Sequence, residues 1–376
     1  MVKRTNIALV SLAALALAAC GMDPQEKFAR AQGNFTAHEY SQARLDLVSA
    51  LEGQPEDVAM LKMLAQVQLK LGDAEGALFA LERLEKAGGK LDDPILFRAE
   101  AEILRGRNDD ALELLQGDKR ADAHRLRALA LVREGKFDEA REELKRGMDG
   151  TGPKAELQAD YAQFLMADGN LDEGAKIAAM ALAAAPDALG PQIASAVAAE
   201  RLGQREKALQ FYEKASKSYP ESSTAMIGRI RQLGELDRVD EAEGLIKAAV
   251  ARSPDDVEVV FLAARLDAEK GDWSEARTRL QRVESRMREY PDAQLLYARS
   301  LLEEEQVELA RSILRRLNAR FPEHAQSAAL LAEVLLSQGD PAGAQKVLAP
   351  VVAQEGVPEA IRQLYRRAET QSAGRS

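Results

Sequence analysis

Residues Ile193 to Pro220 read IASAVAAERLGQREKALQFYEKASKSYP, and the rest of the chain is best read outward from them. Two short amphipathic helices are predicted, hinged at Leu202-Gly203-Gln204. Ala196 lies in the first, and Ala208, Tyr212 and Ala215 lie in the second. Small residues at such places let two helices approach closely, and the aromatic fills the space beside them. Pro220 ends the unit because it lacks the amide that a continuing helix needs.

The same signature recurs along the chain. The small residue that opens each second helix falls at Ala43, Ala77, Ala111, Ala140, Gly174, Ala208, Ala242, Ala276, Ala310 and Ala344. Successive spacings are 34, 34 and 29, then 34 six times. Twelve residues before each stands its partner in the first helix, from Ala31 to Ala332, with Ile230 as the bulky exception in repeat 7. Turn glycines recur at Gly72, Gly106, Gly135, Gly169, Gly203, Gly271 and Gly339. Two places after the turn comes an aromatic or aliphatic residue at Tyr40, Phe137, Leu171, Val239, Trp273 and Val307. Closing prolines stand at Pro55, Pro186, Pro220, Pro254 and Pro322, with Pro291 set three residues late, which predicts an extended second helix before it.

This pattern resembles the tetratricopeptide repeat, a helix–turn–helix of 34 residues. The resemblance covers about residues 24–356 and implies an all-α, right-handed α-solenoid of about ten repeats. Their expected limits are 24–56, 57–91, 92–120, 121–154, 155–188, 189–222, 223–256, 257–291, 292–324 and 325–356. The junction between repeats 3 and 4 is five residues short, so the second helix of repeat 3 is expected to be truncated. The connector 147–153 just beyond, GMDGTGP, reads as the most flexible one. A break there would give two halves, but one continuous solenoid is the preferred reading. Pro350 is expected to kink or end the last second helix. A capping helix over 357–369 then covers the apolar end with Ile361, Leu364 and Tyr365, as a stack of such units requires. Residues 370–376 read as a frayed tail.

Residues 1–20, MVKRTNIALVSLAALALAAC, form a separate feature. Lys3 and Arg4 precede an apolar stretch too short to span a bilayer, and small residues lead to Cys20, the one cysteine of the chain. This resembles a bacterial lipoprotein signal with its lipobox, which implies removal of residues 1–19 and acylation of Cys20. Each buried methylene contributes roughly 0.8 kcal/mol, so two or three acyl chains anchor stably where one does not. Gly21 after the cysteine favours, by analogy with such lipoproteins, the outer membrane facing the periplasm over the inner one. Residues 20–23 form a lipidated N-terminus with no long linker. Asp23 is the expected N-cap and Pro24 the first helical residue.

Composition narrows the function. The 376 residues are 46% hydrophobic, 30% charged and 5% aromatic, with a formal net charge of −10. An acidic surface repels phosphate, which excludes nucleic acid as the main partner. With its lone cysteine acylated, the chain has no thiol for a zinc site or a nucleophile. His38, His124 and His324 fall in repeats 1, 4 and 10, and packing of neighbouring repeats alone keeps them apart. Gly88-Gly89-Lys90 lacks the rest of a phosphate loop and reads as a helix stop. Asp109-Asp110 reads as negative charge at a helix start. Trp273 and Tyr212 are expected in the core. No enzyme, cofactor or metal site follows from these residues.

In the tetratricopeptide family the first helices line a concave surface that receives extended peptides or partner helices. The ninth place of the first helix, which the resemblance turns toward that surface, holds Arg231, Arg265 and Arg299 in three successive repeats. Such a ladder can grip carboxylates through paired guanidinium contacts. Four residues after each stands Glu235, Glu269 and Glu303, and ion pairs at this spacing contribute only about 0.2–0.5 kcal/mol. A self-paired polar groove is therefore the competing reading. Phe261 is the aromatic available to stack there. The expected partners are proteins or peptides in the groove and a membrane at the lipid. The plan is similar to repeat lipoproteins of exopolysaccharide export and surface-protein sorting systems, which implies a non-catalytic envelope scaffold. Pilus or outer-membrane assembly lipoproteins, and activators of cell-wall enzymes, are the alternatives.

Overall fold

The computed structural model describes residues 22–354 and 356–373. Residues 1–19, the stretch expected to be a signal, lie outside the described residues, as do Cys20 and the end of the tail. The described residues form an α-solenoid built from ten helix pairs, a closing helix and one 3-10 helix, as the repeat pattern predicts. Pair 1 comprises Pro24–Thr36 and Tyr40–Gly53, and pair 6 comprises Leu189–Arg201 and Arg205–Ser218. Two compact units divide the chain between Gln232 and Leu233. Pairs 1–6 belong to the first, pairs 8–10 and the closing helix to the second, and pair 7 contains the boundary.

Sequence chemistry explains the pairs. Asp23 caps the first helix by accepting from the amide of Glu26, whose side chain returns the bond to Asp23, and Pro24 follows at the first helical position. The small residues at the crossing are buried, with Ala43, Ala77, Ala111, Ala140, Ala208, Ala276, Ala310 and Ala344 all at 0% exposure. Gly174 takes that place in pair 5, where an added Cβ would lie 2.5 Å from Met166 Cγ and 2.8 Å from the Ala162 carbonyl oxygen. Every turn needs a left-handed residue. Seven pairs use glycine, and His38, Asp237 and Glu305 adopt φ of 57°, 59° and 61° in the other three. In pair 7, Ile230 is buried, and Gly228 lies under the Tyr212 ring, whose Cε1 is 2.3 Å from where a Cβ on Gly228 would sit.

Within each unit, consecutive first helices approach one another closely, while second helices make no comparable approach to each other. First helices therefore lie on the inner side of the curve and second helices on the outer side. The second helix of pair 3 is truncated as expected, to Asn108–Leu114. Gly88 turns left-handed and Gly89 donates back to the Leu84 carbonyl, so the Gly-Gly-Lys run is a helix stop.

Other expectations need correction. The connector 147–153 is tied down: Thr151 bridges Arg120, with Ala121 N donating to Thr151 O at 2.8 Å and Thr151 N to Lys119 O at 3.1 Å. Before Pro291 the second helix is shortened to Trp273–Arg282 and continued by a 3-10 helix over Glu284–Glu289. The closing helix, Glu359–Ala373, runs beyond residue 369, because the buried Ala368 anchors its last turns. Pro350, in contrast, lies in the final turn of a helix that ends at Val352, in keeping with the expectation that it kinks or ends that helix.

Candidate functional site: the inner first-helix surface

The helix geometry that puts small residues at the crossing turns their neighbours toward the inner surface. In the first unit this surface carries a cluster of charge on pairs 3, 4 and 5. Arg125 is central, with Nη1 3.5 Å from Asp160 Oδ2 and Nε 3.7 Å from Asp122 Oδ1. Burial opposes its charge, but Asp160, Glu100, Asp122 and Glu156 outweigh this and hold its pKa above the ordinary value. Burial also raises the Glu156 carboxyl, with Asp160 and Asp122 adding to the effect against Arg125 and Lys70. Asp160 is raised by burial against Arg125. Both carboxylates still meet solvent, Glu156 as an exposed residue and Asp160 as a partly buried one. Four acids around one arginine leave this stretch with a negative excess.

The arginines predicted as a ladder are engaged in three different ways. Arg231, in the first unit, has Nη1 3.7 Å from Glu200 Oε1 of the preceding pair. In the second unit Arg265 pairs with Glu269, Nε to Oε1, at 3.0 Å. Arg299 lies over the Trp273 ring, 5.4 Å from its centroid. Arg299 and Glu303 make no ion pair among the described residues, and Glu235 and Glu303 are both exposed. Phe261 is partly buried against the core of the second unit. Tyr212 is in the core at 3% exposure, whereas Trp273 is half-buried and serves as the platform for Arg299.

A long-range contact joins residues that no sequence pattern links. His38 Nδ1 donates to the Ser218 carbonyl at 2.9 Å, and its ring lies 4.0 Å from that of Tyr219. Glu221 accepts from the amide of Ser41 at 3.0 and 3.1 Å. The second helix of pair 1 has no local side-chain cap, so Glu221 satisfies one of its free amides. His38 does the same for a carbonyl at the end of pair 6. Packing is thus not confined to neighbours, because the first unit curls far enough to join pair 1 to pair 6. No motif marks this contact, since the residues are 180 apart in sequence.

The remaining histidines are structural. His124 and Arg127 meet Glu143 at 2.8 and 2.7 Å, and Arg127 also donates to the carbonyls of Leu115 and Asp118, which stitches the short junction. His324 lies 3.3 Å from Asp292. Among the described residues no group of three or more His, Cys, Asp or Glu is arranged to hold a metal ion. No described helix is long and apolar enough to cross a membrane.

The fold has many relatives among solved structures. The chain is similar to a chain in the APC/C hetero-tetramer Cut9–Hcn1, at 14% identity and a TM-score of 0.66, over 92% of this chain and 76% of that one. It is similar to yeast Tom70 at 16% identity and a TM-score of 0.51, over 94% and 89% of the two chains. A tetratricopeptide repeat protein from Parabacteroides merdae matches 66% of this chain and 98% of its own, at 18% identity and a TM-score of 0.51. No curated protein matches the sequence. Sequence profiles of the tetratricopeptide repeat match residues 131–200, 233–300, 267–332 and 301–368, and residues 28–91 and 193–257. These spans cover more than half of the chain, and the protein belongs to the tetratricopeptide-repeat family.

Proposed function

We propose that the protein is a non-catalytic scaffold that binds protein partners along its inner first-helix surface. The observation that carries this reading is the packing itself. Within each unit the first helices stand side by side on the inner face and present charged, partly solvated side chains there, while the second helices form the outer wall. Such a surface exchanges internal ion pairs for intermolecular ones at little net cost, which suits reversible recognition. Changing Arg231, Arg265 and Arg299 together to alanine is expected to weaken partner capture in a pull-down; unchanged capture would remove these arginines from the account.

The scaffold reading extends to a membrane tether. The lipobox-like sequence ending at Cys20 supports acylation there and a place on the periplasmic face of the outer membrane. An envelope assembly, with exopolysaccharide biosynthesis or export first, fits the combination of lipid anchor and long repeat array. Labelling of the protein by a palmitate analogue, lost in Cys20→Ser together with membrane fractionation, is the expected result. Unchanged membrane association of the Cys20→Ser protein would count against the tether.

A further inference from the structure

The outward face of the second helices changes character along the array. Two places after the small crossing residue, pairs 1 and 2 carry Leu45 and Phe79, at 57% and 61% exposure. In every later pair that place holds Glu, Lys, Gln, Gly, Thr or Ser, as at the exposed Glu113, Lys176 and Thr278. Five places after the crossing residue, Val48 is 47% exposed, where the other pairs have only alanine or a polar side chain. Leu45 and Val48 are one turn apart and so share a face of the helix Tyr40–Gly53. Apolar residues scattered singly over a surface need no explanation. Bulky ones that occupy matched places only at one end of a repeat array do.

That end is where the chain enters the array. Gln25 Nε2 donates to Gln54 Oε1 at 2.7 Å and Lys27 Nζ to Ser49 Oγ at 2.9 Å, so the start of the first helix lies against the end of the second. Along the helix axis Val48 is about 8 Å from Gly53 at that end. Only Gly21, Met22 and Asp23 separate Cys20 from Pro24. Such a stretch reaches at most about 14 Å. Acyl chains on Cys20 would therefore hold Leu45 and Val48 within about two helix diameters of the lipid.

We propose that the outward face of pairs 1 and 2 lies on the bilayer that the Cys20 acyl chains enter, with Leu45, Val48 and Phe79 inserted at its interface. The inference rests on the membrane tether proposed above and adds a non-covalent contact to it. Arg83 lies over the Phe79 ring, 6.0 Å from its centroid, which sets a cation beside the aromatic at headgroup level. The occupant is a bilayer rather than a protein because the second helices make no close approach to one another. Their side chains stand apart on an outer wall, and a fluid surface conforms to each separately. A lipid anchor fixes one point, whereas a buried apolar face also fixes orientation. The inner first-helix surface of these pairs is thereby turned toward the aqueous phase.

The test uses the full chain, acylated in a bacterial host and reconstituted in vesicles of phosphatidylethanolamine and phosphatidylglycerol. Mass spectrometry at Cys20 reads the tether separately. Should Cys20 prove unmodified, Cys20→Ser with a histidine tag before residue 20, held by a nickel-chelating lipid, takes its place. An environment-sensitive fluorophore is attached at Leu45→Cys or Phe79→Cys. Two exposed positions serve as comparisons: Gln32→Cys on the first helix of pair 1, and Lys176→Cys at the matching outward place of pair 5. The labels at positions 45 and 79 are expected to shift to shorter wavelength and to be quenched by nitroxide-bearing lipids, and those at 32 and 176 to do neither. Phe79→Glu in the Leu45→Cys chain should abolish the shift at position 45, whereas Phe79→Trp should retain it. Equal quenching at positions 32 and 45 would mean that the tether alone brings pair 1 to the lipid, and would overturn the proposal. So would no quenching at 45 and 79, or a shift there only on adding a protein partner, which would assign the face to that partner.

Discussion

A single backbone requirement runs through the pairs and separates residues that only turn the chain from residues that do more. The left-handed turn costs a residue with a Cβ about 1–2 kcal/mol relative to the right-handed form. Glu305 meets that cost with an exposed side chain, so Glu305→Gly should raise stability by roughly 0.5–1 kcal/mol in chemical denaturation. His38→Gly should show a smaller gain or a loss, because it also removes the bond to Ser218 and the stacking against Tyr219. Titration gives a second residue-level expectation, at Glu156. Its folded pKa is raised, so the folded protein holds this proton more tightly than the unfolded chain. This group's contribution to stability therefore falls as pH rises from the ordinary carboxyl range through the raised value. Glu156→Gln should be more stable than wild type at neutral pH, by a modest margin because water screens the site. The difference should vanish as pH approaches 4 (roughly the unperturbed carboxyl value). A margin independent of pH in thermal unfolding would show that the charge is not its cause.

The paired helix is the scale at which sequence and structure agree best. Pair 5 shows why: its crossing tolerates no Cβ at Gly174, where the Ala162 carbonyl cannot move without breaking its helix. Gly174→Ala should cost about 1–3 kcal/mol as overpacking, measured by urea midpoint, despite alanine's better helix propensity. The 34-residue spacing of small residues exposed every pair because each pair is a local object whose own residues decide it. Where the decision is made elsewhere, the sequence was silent or misleading. Gly147–Pro153 looked loose from its glycines, but Lys119 and Ala121 pair with Thr151. Trp273 fits the core pattern, yet it is only half-buried, and Arg299 of the next pair lies over its ring. The delayed Pro291 suggested a longer helix, whereas the chain winds into a 3-10 segment over Glu284–Glu289. Of the inner-surface residues, the Arg265–Glu269 pair was legible as an i,i+4 spacing, and the acids around Arg125 were not, since they come from three pairs.

At the scale of the whole molecule, the first unit is more than a sum of neighbours. Glu221 and His38 exchange caps between pair 1 and pair 6, so removing them should loosen pair 1 without unfolding the other pairs. Glu221→Ala is expected to cost about 1 kcal/mol locally, in line with loss of a helix N-cap. Hydrogen exchange at the amides following Tyr40 should report it, with Tyr219→Ala acting in the same direction; unchanged protection there would mean that the contact carries no stability. The central claim is that partners are held on the inner face. Site-specific photocrosslinking from that face in intact cells tests it most directly. With the crosslinker at Arg265 and Arg299 on first helices, and at Lys247 on a second helix as comparison, the inner positions should capture the same discrete protein. Lys247, with 75% of its side chain exposed, should capture none of it. Capture from Lys247 alone, or from no position, would contradict the account.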